Sequence, residues 1–337
     1  LMTRRPPRST PSNSSAASDV YKRQAVKIAK KLGATVDTTA SICHGPGTLA
    51  LMSTGFPTCT FGEVKNRADL IIYWGSNPLE SHPRHLSKLN IFSKRKVVID
   101  IRKTKSSEIA DIFVKVPPGK DMELMLALLR VLRGDKVVPD FVGRSAFEKL
   151  LNIFLSAKFG VIFYGVGLTM SENGFMNVVT LIELVKELNN HTRFYMIPMR
   201  GHYNVSGATE VLTWLTGYPY AVNFSKGYAR FDPSEFSAVE MLSRRECDCM
   251  LVIASDPFST FPLSARKHMK EIDIITIDPK ITPTSIISKV AIPTAICGIH
   301  VCGMAYRMDR VPVPLKSIGN TDKPSDKDVL LEILRRL

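Results

Sequence analysis

The sequence predicts an α/β protein built from two Rossmann-like halves, each with a parallel sheet, and three observations lead to this prediction. Short apolar runs alternate with longer amphipathic segments from residue 69 onward, which is typical of parallel strands joined by crossover helices. One pattern of strands and polar residues occurs twice, 179 residues apart. The length of 337 residues and a hydrophobic content of 45% suffice for two such domains with ordinary cores.

The individual elements follow from the spacing of apolar residues. Apolar residues at helical spacing, with an acidic first turn and a glycine stop, predict a helix over 121–134. A second helix is predicted over 171–190, with Ser171 as its cap. Buried strands are predicted from short apolar runs at 69–74, 96–101, 111–116, 159–165, 249–255, 274–278 and 289–293.

The repeat pairs DLIIYWGSNPLESHP, which starts at Asp69, with DCMLVIASDPFSTFP, which starts at Asp248. Each copy is followed by a second strand that ends in an acid, Asp100 or Asp278, and then by an apolar segment that ends in proline. Ligands of open parallel sheets bind at the carboxyl ends of strands. A lone acid there is more often a turn or cap residue, but duplication at matched positions predicts two nucleotide-type sites. Neither copy has a Gly-x-Gly-x-x-Gly fingerprint or a P-loop, so NAD and ATP are poor candidates.

The net charge of +14 suggests nucleic acid at first sight, but its distribution does not support that partner. The first 24 residues carry five basic residues and one acid, and they are rich in proline and serine. We interpret residues 1–24 as a non-native or disordered leader that resembles translated adapter sequence. No run of about 18 apolar residues occurs, so no membrane span is expected. Six cysteines are too few for a disulfide scaffold, which favours a reducing, cytoplasmic location.

Two loops carry the residues best suited to catalysis or metal binding. In SICHGPGTLAL, residues 41–51, Cys43 precedes His44, and the following Gly-Pro-Gly predicts a turn that separates their directions. In IPMRGHYNVSGATE, residues 197–210, Arg200 offers a forked cation suited to a carboxylate, although in isolation a surface ion pair is the better explanation. A zinc site that includes Cys297, His300 and Cys302 is a weaker possibility.

Taken together, these motifs resemble the molybdopterin oxidoreductases that carry two pterin guanine dinucleotides. MRGHYNVSGA, residues 199–208, is similar to a signature of formate dehydrogenases. CHGP, the long stretch over 55–85 and the stretch over 207–238 are similar to the pterin-binding catalytic subunits of formylmethanofuran dehydrogenases. The resemblance extends from about residue 25 to the C-terminus.

The resemblance implies roles by position. Cys43 would be the thiolate ligand of tungsten or molybdenum, and His44 and Arg200 would handle CO2 or formate beside the metal. The residues implied to hold one pterin dinucleotide are Asn77, Asp100, Arg102, Gly119 and Asp121. Those implied to hold the other are Asp256 and Asp278.

The resemblance also implies a domain plan and an activity. Residues 43–200 would form the first pterin-dinucleotide domain, residues 25–42 plus 201–300 the second, and 301–337 a packed tail. The protein would reduce CO2 to formate, or oxidise the formyl group to CO2 in reverse, with an iron–sulfur protein as electron partner. Its expected partners are an amidohydrolase subunit, a β-barrel pterin subunit and ferredoxin-like subunits, with no nucleic acid.

Two departures from the family and three alternatives remain at this point. The chain lacks the N-terminal 4Fe–4S segment and the C-terminal β-barrel domain, so we expect a truncated sequence whose cluster belongs to the full-length protein. The alternatives within the family are a formate dehydrogenase fragment and a non-redox scaffold subunit of a formyltransferase/hydrolase complex. The alternative outside it is a cysteine hydrolase with Cys43 as nucleophile and His44 as base.

Overall fold

The computed structural model describes residues 12–13 and 19–337, with side chains from Lys22 onward. The chain divides into two compact units. We call residues 42–201 the insert unit, and the residues up to Ser41 together with His202–Leu337 the split unit. These boundaries lie within one residue of the domain boundaries predicted at 42/43 and 200/201, and residues 301–337 belong to the split unit. The roles predicted for the two domains stay predictions.

The leader predicted over residues 1–24 needs a correction at its end. Residues 1–11 and 14–18 lie outside the described residues, but a 14-residue helix begins at Asp19. Lys22 and Gln24 are buried on this helix, so residues 19–24 are part of the fold. The helix continues through the apolar residues Ala25, Ile28 and Ala29, whose burial explains why the segment is ordered.

The split unit begins with three elements before the chain enters the insert unit. These are β1 (Ser12–Asn13), α1 (Asp19–Leu32) and β2 (Thr35–Thr38), followed by a 3-10 turn over Thr39–Ile42.

The insert unit contains a five-stranded, fully parallel sheet in the order β5-β4-β3-β6-β7. Every residue of its central strand is buried, which is why that strand reads as an unbroken apolar run. The elements are α2 (Gly45–Thr54), α3 (Phe61–Arg67), β3 (Leu70–Trp74), α4 (Pro78–Ser81), α5 (His85–Lys88), β4 (Arg95–Asp100), α6 (Lys105–Glu108), β5 (Ile112–Lys115), α7 (Asp121–Leu132), α8 (Arg144–Leu155), β6 (Phe159–Tyr164), α9 (Val166–Thr169), α10 (Gly174–Leu188) and β7 (Arg193–Pro198), with a 3-10 turn over Ile91–Ser93. Side chains of the strands and of α7, α8 and α10 form one apolar core.

The split unit resumes with α11 and contains a seven-stranded sheet in the order β12-β11-β10-β1-β2-β8-β9. Its strands are parallel from β12 to β2, and β8 and β9 continue it antiparallel. The elements are α11 (Val205–Thr216), β8 (Val222–Asn223), β9 (Arg230–Phe231), α12 (Pro233–Phe236), α13 (Ala238–Ser243), β10 (Cys249–Ile253), α14 (Pro257–Thr260), α15 (Leu263–Met269), β11 (Asp273–Asp278), α16 (Pro283–Ile287), β12 (Val290–Pro293), β13 (Gly303–Tyr306), β14 (Pro312–Leu315) and α17 (Asp326–Arg336).

The predicted strands are all present, with ends shifted by at most two residues. Two local predictions are wrong. The helix predicted over 171–190 begins at Gly174, and its N-cap is Asn173 rather than Ser171. Gly45, Pro46 and Gly47 form the first turn of α2 instead of a loop. Proline is tolerated there because an N–H in the first turn of a helix has no acceptor within the helix, so its absence costs no hydrogen bond. No helix in the described part of the chain is long and apolar enough to cross a membrane.

The sequence repeat is a structural repeat. We call residues 69–116 copy 1 and residues 248–294 copy 2. Copy 1 contributes β3, β4 and β5 to the insert unit, and copy 2 contributes β10, β11 and β12 to the split unit, each as adjacent parallel strands. The residue after the first strand has a positive φ in both copies, at +56° for Gly75 and +47° for Ala254.

Candidate functional site

The side chains of Cys43 and His44 converge. The Cys43 Sγ lies 2.9 Å from the Nδ1 of His44, and both side chains are buried. The Nε2 of His44 lies 3.4 Å from the carbonyl oxygen of Tyr164 at the end of β6. The prediction that a turn separates the two directions is therefore wrong, because His44 caps α2 and its ring folds back toward the sulfur.

Arg200 lies in the same unit, just beyond the carboxyl end of β7. Its side chain is buried, and its Nη2 donates to the Oγ1 of Thr48 at 3.0 Å. Thr48 in turn donates to the carbonyl oxygen of His44 at 3.0 Å, so the first turn of α2 connects the arginine to the histidine. A surface ion pair, the alternative left open by the sequence, does not describe this buried guanidinium. The structure brings Cys43, His44 and Arg200 together.

Two opposing effects act on the Cys43 thiol. Burial raises its pKa, while the Arg200 cation and the Gly201 N–H, which donates to the sulfur, act to lower it. The net effect raises the pKa, so the sulfur is a thiol until something replaces its proton. A cysteine hydrolase needs an accessible thiolate, and a buried thiol with a raised pKa disfavours that alternative. A soft metal fits better, because metal binding releases the thiol proton.

At the strand ends of copy 1, Asn77 joins two loops. Its Oδ1 accepts from the hydroxyl of Ser106 at 2.6 Å and from the Ser106 N–H at 3.3 Å. Its Nδ2 donates to the Oε2 of Glu80 at 2.7 Å. The amide of Asn77 therefore has a structural task, and its predicted contact with a pterin stays a prediction.

Copy 2 repeats this arrangement with Asp256. Its Oδ1 accepts from the hydroxyl of Thr284 at 2.5 Å and from the Thr284 N–H at 3.0 Å. Asp256 also lines a cleft of about 140 Å³ in the split unit, together with Asp37, Ser255 and Phe261. Asn77 and Asp256, which the sequence repeat aligns, thus accept matching hydrogen bonds in the two copies.

The two predicted strand-end acids also match. The Oδ1 of Asp100 accepts from the N–H of Arg102 at 3.3 Å, and the Oδ1 of Asp278 accepts from the N–H of Lys280 at 2.8 Å. Burial, with a contribution from Asp256, raises the pKa of Asp278. Carboxylates at the rim of a sheet suit donors such as the N–H groups of a purine edge, because each carboxylate can accept several hydrogen bonds.

The remaining predicted residues lie on the connection from β4 to α7. Arg102 is exposed, and Gly119 has a φ of +78° in the turn before α7. Asp121 is the first residue of α7, and its Oδ1 accepts from the indole N–H of Trp74 at 2.8 Å. Burial, with a contribution from Asp100, raises the pKa of Asp121.

Sequence reasoning missed the counterpart of this acid, Asp326. It is the first residue of α17, and its Oδ1 accepts from the hydroxyl of Thr294 at the end of copy 2. Burial raises its pKa to about 6, and the neighbouring Asp278 contributes. The signal was available, because an acid opens the amphipathic helix in KPSDKDVLLEIL just as Asp121 opens α7.

The zinc alternative finds no support in the described residues, where no group of three or more His, Cys, Asp or Glu side chains could hold a metal ion. The Nδ1 of His300 accepts from the N–H of Ile296 and closes a local turn. A site with Cys43 as its single protein ligand is a different type of site, suited to a metal whose other ligands come from a cofactor.

Comparisons with known proteins agree with a site of this type. A subunit of the tungsten-containing formylmethanofuran dehydrogenase 2 of Methanocaldococcus jannaschii is 42% identical over 330 residues, covering 93% of this chain and 75% of that protein. Formate dehydrogenase H of Escherichia coli is 24% identical, covering 79% of this chain and 45% of that protein. A chain of the formyltransferase/hydrolase complex of Methylorubrum extorquens has the same fold, with a TM-score of 0.77 at 21% identity over 97% of this chain and 91% of that chain. A comparison with models of protein families finds no match.

Proposed function

This chain belongs to the same family as that formylmethanofuran dehydrogenase subunit, and we propose that its insert unit carries the metal centre at which CO2 is reduced to formate. The observation that carries this proposal is the convergence of a buried cysteine, a histidine and a buried arginine in one unit. The protein is an oxidoreductase subunit of a molybdo- or tungstopterin enzyme. In reverse, the same site would oxidise the formyl group to CO2.

The residues present fit the implied cofactor. Cys43 supplies a soft sulfur ligand, and its thiol proton would leave on binding. When bound, the tungsten or molybdenum pterin supplies the two electrons that convert CO2 and a proton to formate. Asn77, Asp100, Arg102, Gly119 and Asp121 would hold one guanine dinucleotide, and Asp256 and Asp278 would hold the other. Acidic side chains at matched strand ends support this assignment, because carboxylates accept from the donor edge of guanine.

Arg200 and His44 would act on the substrate. The Arg200 guanidinium presents a fixed cation, suited to orient the carboxylate of formate and to stabilise its charge. The Nε2 of His44 faces the Tyr164 carbonyl, which can only accept, so that nitrogen carries a proton. Its Nδ1 is then the atom that can take up or release a proton beside the sulfur.

The full enzyme requires partners. We propose that an amidohydrolase subunit joins formate to methanofuran, that ferredoxin-like subunits deliver electrons, and that a β-barrel subunit completes the pterin site. An iron–sulfur protein would be the external electron partner. The non-redox scaffold alternative is disfavoured, because a scaffold role does not require a buried cysteine beside His44 or a buried arginine that contacts the helix following it.

The test uses Cys43→Ala in the assembled complex. CO2 reduction should be lost while amidohydrolase activity survives, and metal and pterin analysis of the native complex should find two guanine dinucleotides per metal. Cys59→Ala is the matched control, since Cys59 is equally buried in the same unit and should leave CO2 reduction intact. Unchanged formate production by Cys43→Ala would overturn the metal-ligand role.

A further inference from the structure

His82 holds the loop that carries Arg200. Its Nε2 lies 3.0 Å from the carbonyl oxygen of Arg200. Because a carbonyl only accepts, the Nε2 carries a proton and donates it to this bond. His82 is 118 residues away in sequence, so the bond joins the loop after β3 to the loop after β7.

The peptide that His82 contacts is the one that faces Cys43. The carbonyl of Arg200 and the N–H of Gly201 belong to the same planar peptide group, and that N–H donates to the Cys43 sulfur. Fixing the carbonyl fixes the direction of the N–H. Donation to the carbonyl also polarises the peptide and strengthens the N–H as a donor.

The position of His82 is itself rigid. It caps α4, and its N–H donates to the Pro78 carbonyl at 2.9 Å. The hydroxyl of Ser81 lies 2.7 Å from its Nδ1. Behind it, the buried ring of His85 packs edge-on against Phe163, and its pKa is lowered to about 3 by burial, so it stays neutral.

Copy 2 shows that the fold does not require a histidine here. The corresponding residue is Phe261, which ends α14 in the same way, with its N–H donating to Pro257 at 2.8 Å. The polar side chain occurs only in the copy whose unit contains Cys43 and Arg200. A structural cap alone would therefore not explain His82.

We propose that His82 is a positioning residue that holds the Arg200–Gly201 peptide and thereby presents the Gly201 N–H to the sulfur of Cys43. The proposal rests on the proposed role of Cys43 as metal ligand. Hydrogen bonds to a ligating sulfur tune the reduction potential of a metal centre, and partners of metal ligands are worth about 10- to 100-fold in affinity or activity.

The experiment compares three variants in the assembled complex. His82→Ala and His82→Phe remove the donor, and the second installs the residue of copy 2, whereas His82→Gln keeps an N–H at similar reach. The readouts are hydrogen–deuterium exchange of the Gly201 amide, measured with and without metal, the midpoint potential of the metal couple, and kcat and KM for CO2 reduction. His191→Gln is the control, since His191 is exposed at the opposite, amino-terminal end of β7.

For His82→Ala and His82→Phe we expect faster exchange at Gly201, a lower midpoint potential, and a kcat reduced by about tenfold with a smaller change in KM. His82→Gln should restore all three. Unchanged exchange at Gly201 in His82→Ala would overturn the proposal, as would a His82→Gln variant as impaired as His82→Ala. Exchange in the metal-free complex is independent of the cofactor, so failure of the proposed function would leave this result readable.

Discussion

Copy 1 and copy 2 share their hydrogen bonds and differ in what surrounds them. Asn77 and Asp256 each accept from the hydroxyl and N–H of one residue, Ser106 or Thr284, across two strand-end loops. In the insert unit, the loops that carry Cys43 and Arg200 are added to this frame, and His82 replaces the Phe261 of copy 2. The shared bonds join the strand-end loops in the same way in both copies, whereas only copy 1 lies in the unit that contains Cys43, His44 and Arg200, the residues proposed to carry the redox chemistry.

The residue after the first strand shows how the added loops constrain copy 1. A Cβ on Gly75 would lie 2.9 Å from the Leu168 nitrogen, because α9 packs directly on this turn. Gly167 donates its N–H to the Gly75 carbonyl at 3.1 Å, which keeps the two backbones in contact. Copy 2 tolerates Ala254 at a φ of +47° in the corresponding position. The same backbone turn therefore requires glycine only where another loop approaches it.

Gly75→Ala tests this difference between the two copies, and of the substitutions considered it should have the largest effect on stability. The left-handed backbone costs about 1–2 kcal/mol for a residue with a Cβ, and overpacking against backbone atoms adds about 1–3 kcal/mol. Ala254→Gly should change stability by less than about 1 kcal/mol, because strain relief offsets the loss of a buried methyl group. Urea unfolding of the full chain measures both, and equal losses for the two variants would contradict the account.

Asp326→Asn tests how the buried acid at the start of α17, the counterpart of Asp121 at the start of α7, affects the stability of the protein. Burial raises the pKa of Asp326 to about 6 in the folded state from an ordinary value of 3.8, so the folded state binds its proton more tightly. Wild-type stability should therefore fall as pH rises from about 4 to 6, by up to about 3 kcal/mol for this group. Asp326→Asn should be as stable as wild type at pH 4 and more stable at pH 8.

Unfolding measured across that pH range provides the check, with Asp121→Asn as the counterpart in the other unit. Burial raises the pKa of Asp121 in the same direction, so the variant should show the same sign of effect. An Asp326→Asn protein less stable than wild type at pH 8 would show that the buried carboxylate is stabilising in its charged form.

The fold was predictable because two signals in the sequence are local and repeated. The strands that the sequence predicted are short apolar runs, and the acids at 100 and 278 mark the same strand end twice, whereas β1, β2, β8 and β9 are short and carry polar residues. The repeat predicted two α/β halves, whereas the boundaries of the two domains were implied by the family resemblance. Gly45-Pro46-Gly47 misled the prediction, because the same residues that form turns also occur in the first turn of helices.

The residues of the candidate site could be proposed from the sequence, but their arrangement could not. Residue types drew attention to the loops of Cys43 and Arg200, and the family resemblance implied the roles of Cys43, His44 and Arg200. The position of the His44 ring beside the sulfur, with its Nε2 near the distant Tyr164 carbonyl, was not predicted. His82 and Asp326 were missed because each acts through a partner more than 30 residues away in sequence. The contact of His82 arises from the sheet topology, which no local pattern encodes, whereas Asp326 does have a local signal, because it is the acid that opens the amphipathic helix α17.

X-ray absorption at the metal edge of the assembled complex tests the central claim most directly. Cys43→Ser replaces a sulfur donor with oxygen while keeping its size, and Cys59→Ser makes the same change at an equally buried cysteine of the same unit. We expect one metal–sulfur neighbour fewer in Cys43→Ser and an unchanged count in Cys59→Ser. An unchanged sulfur count in Cys43→Ser would contradict the assignment of Cys43 as the metal ligand.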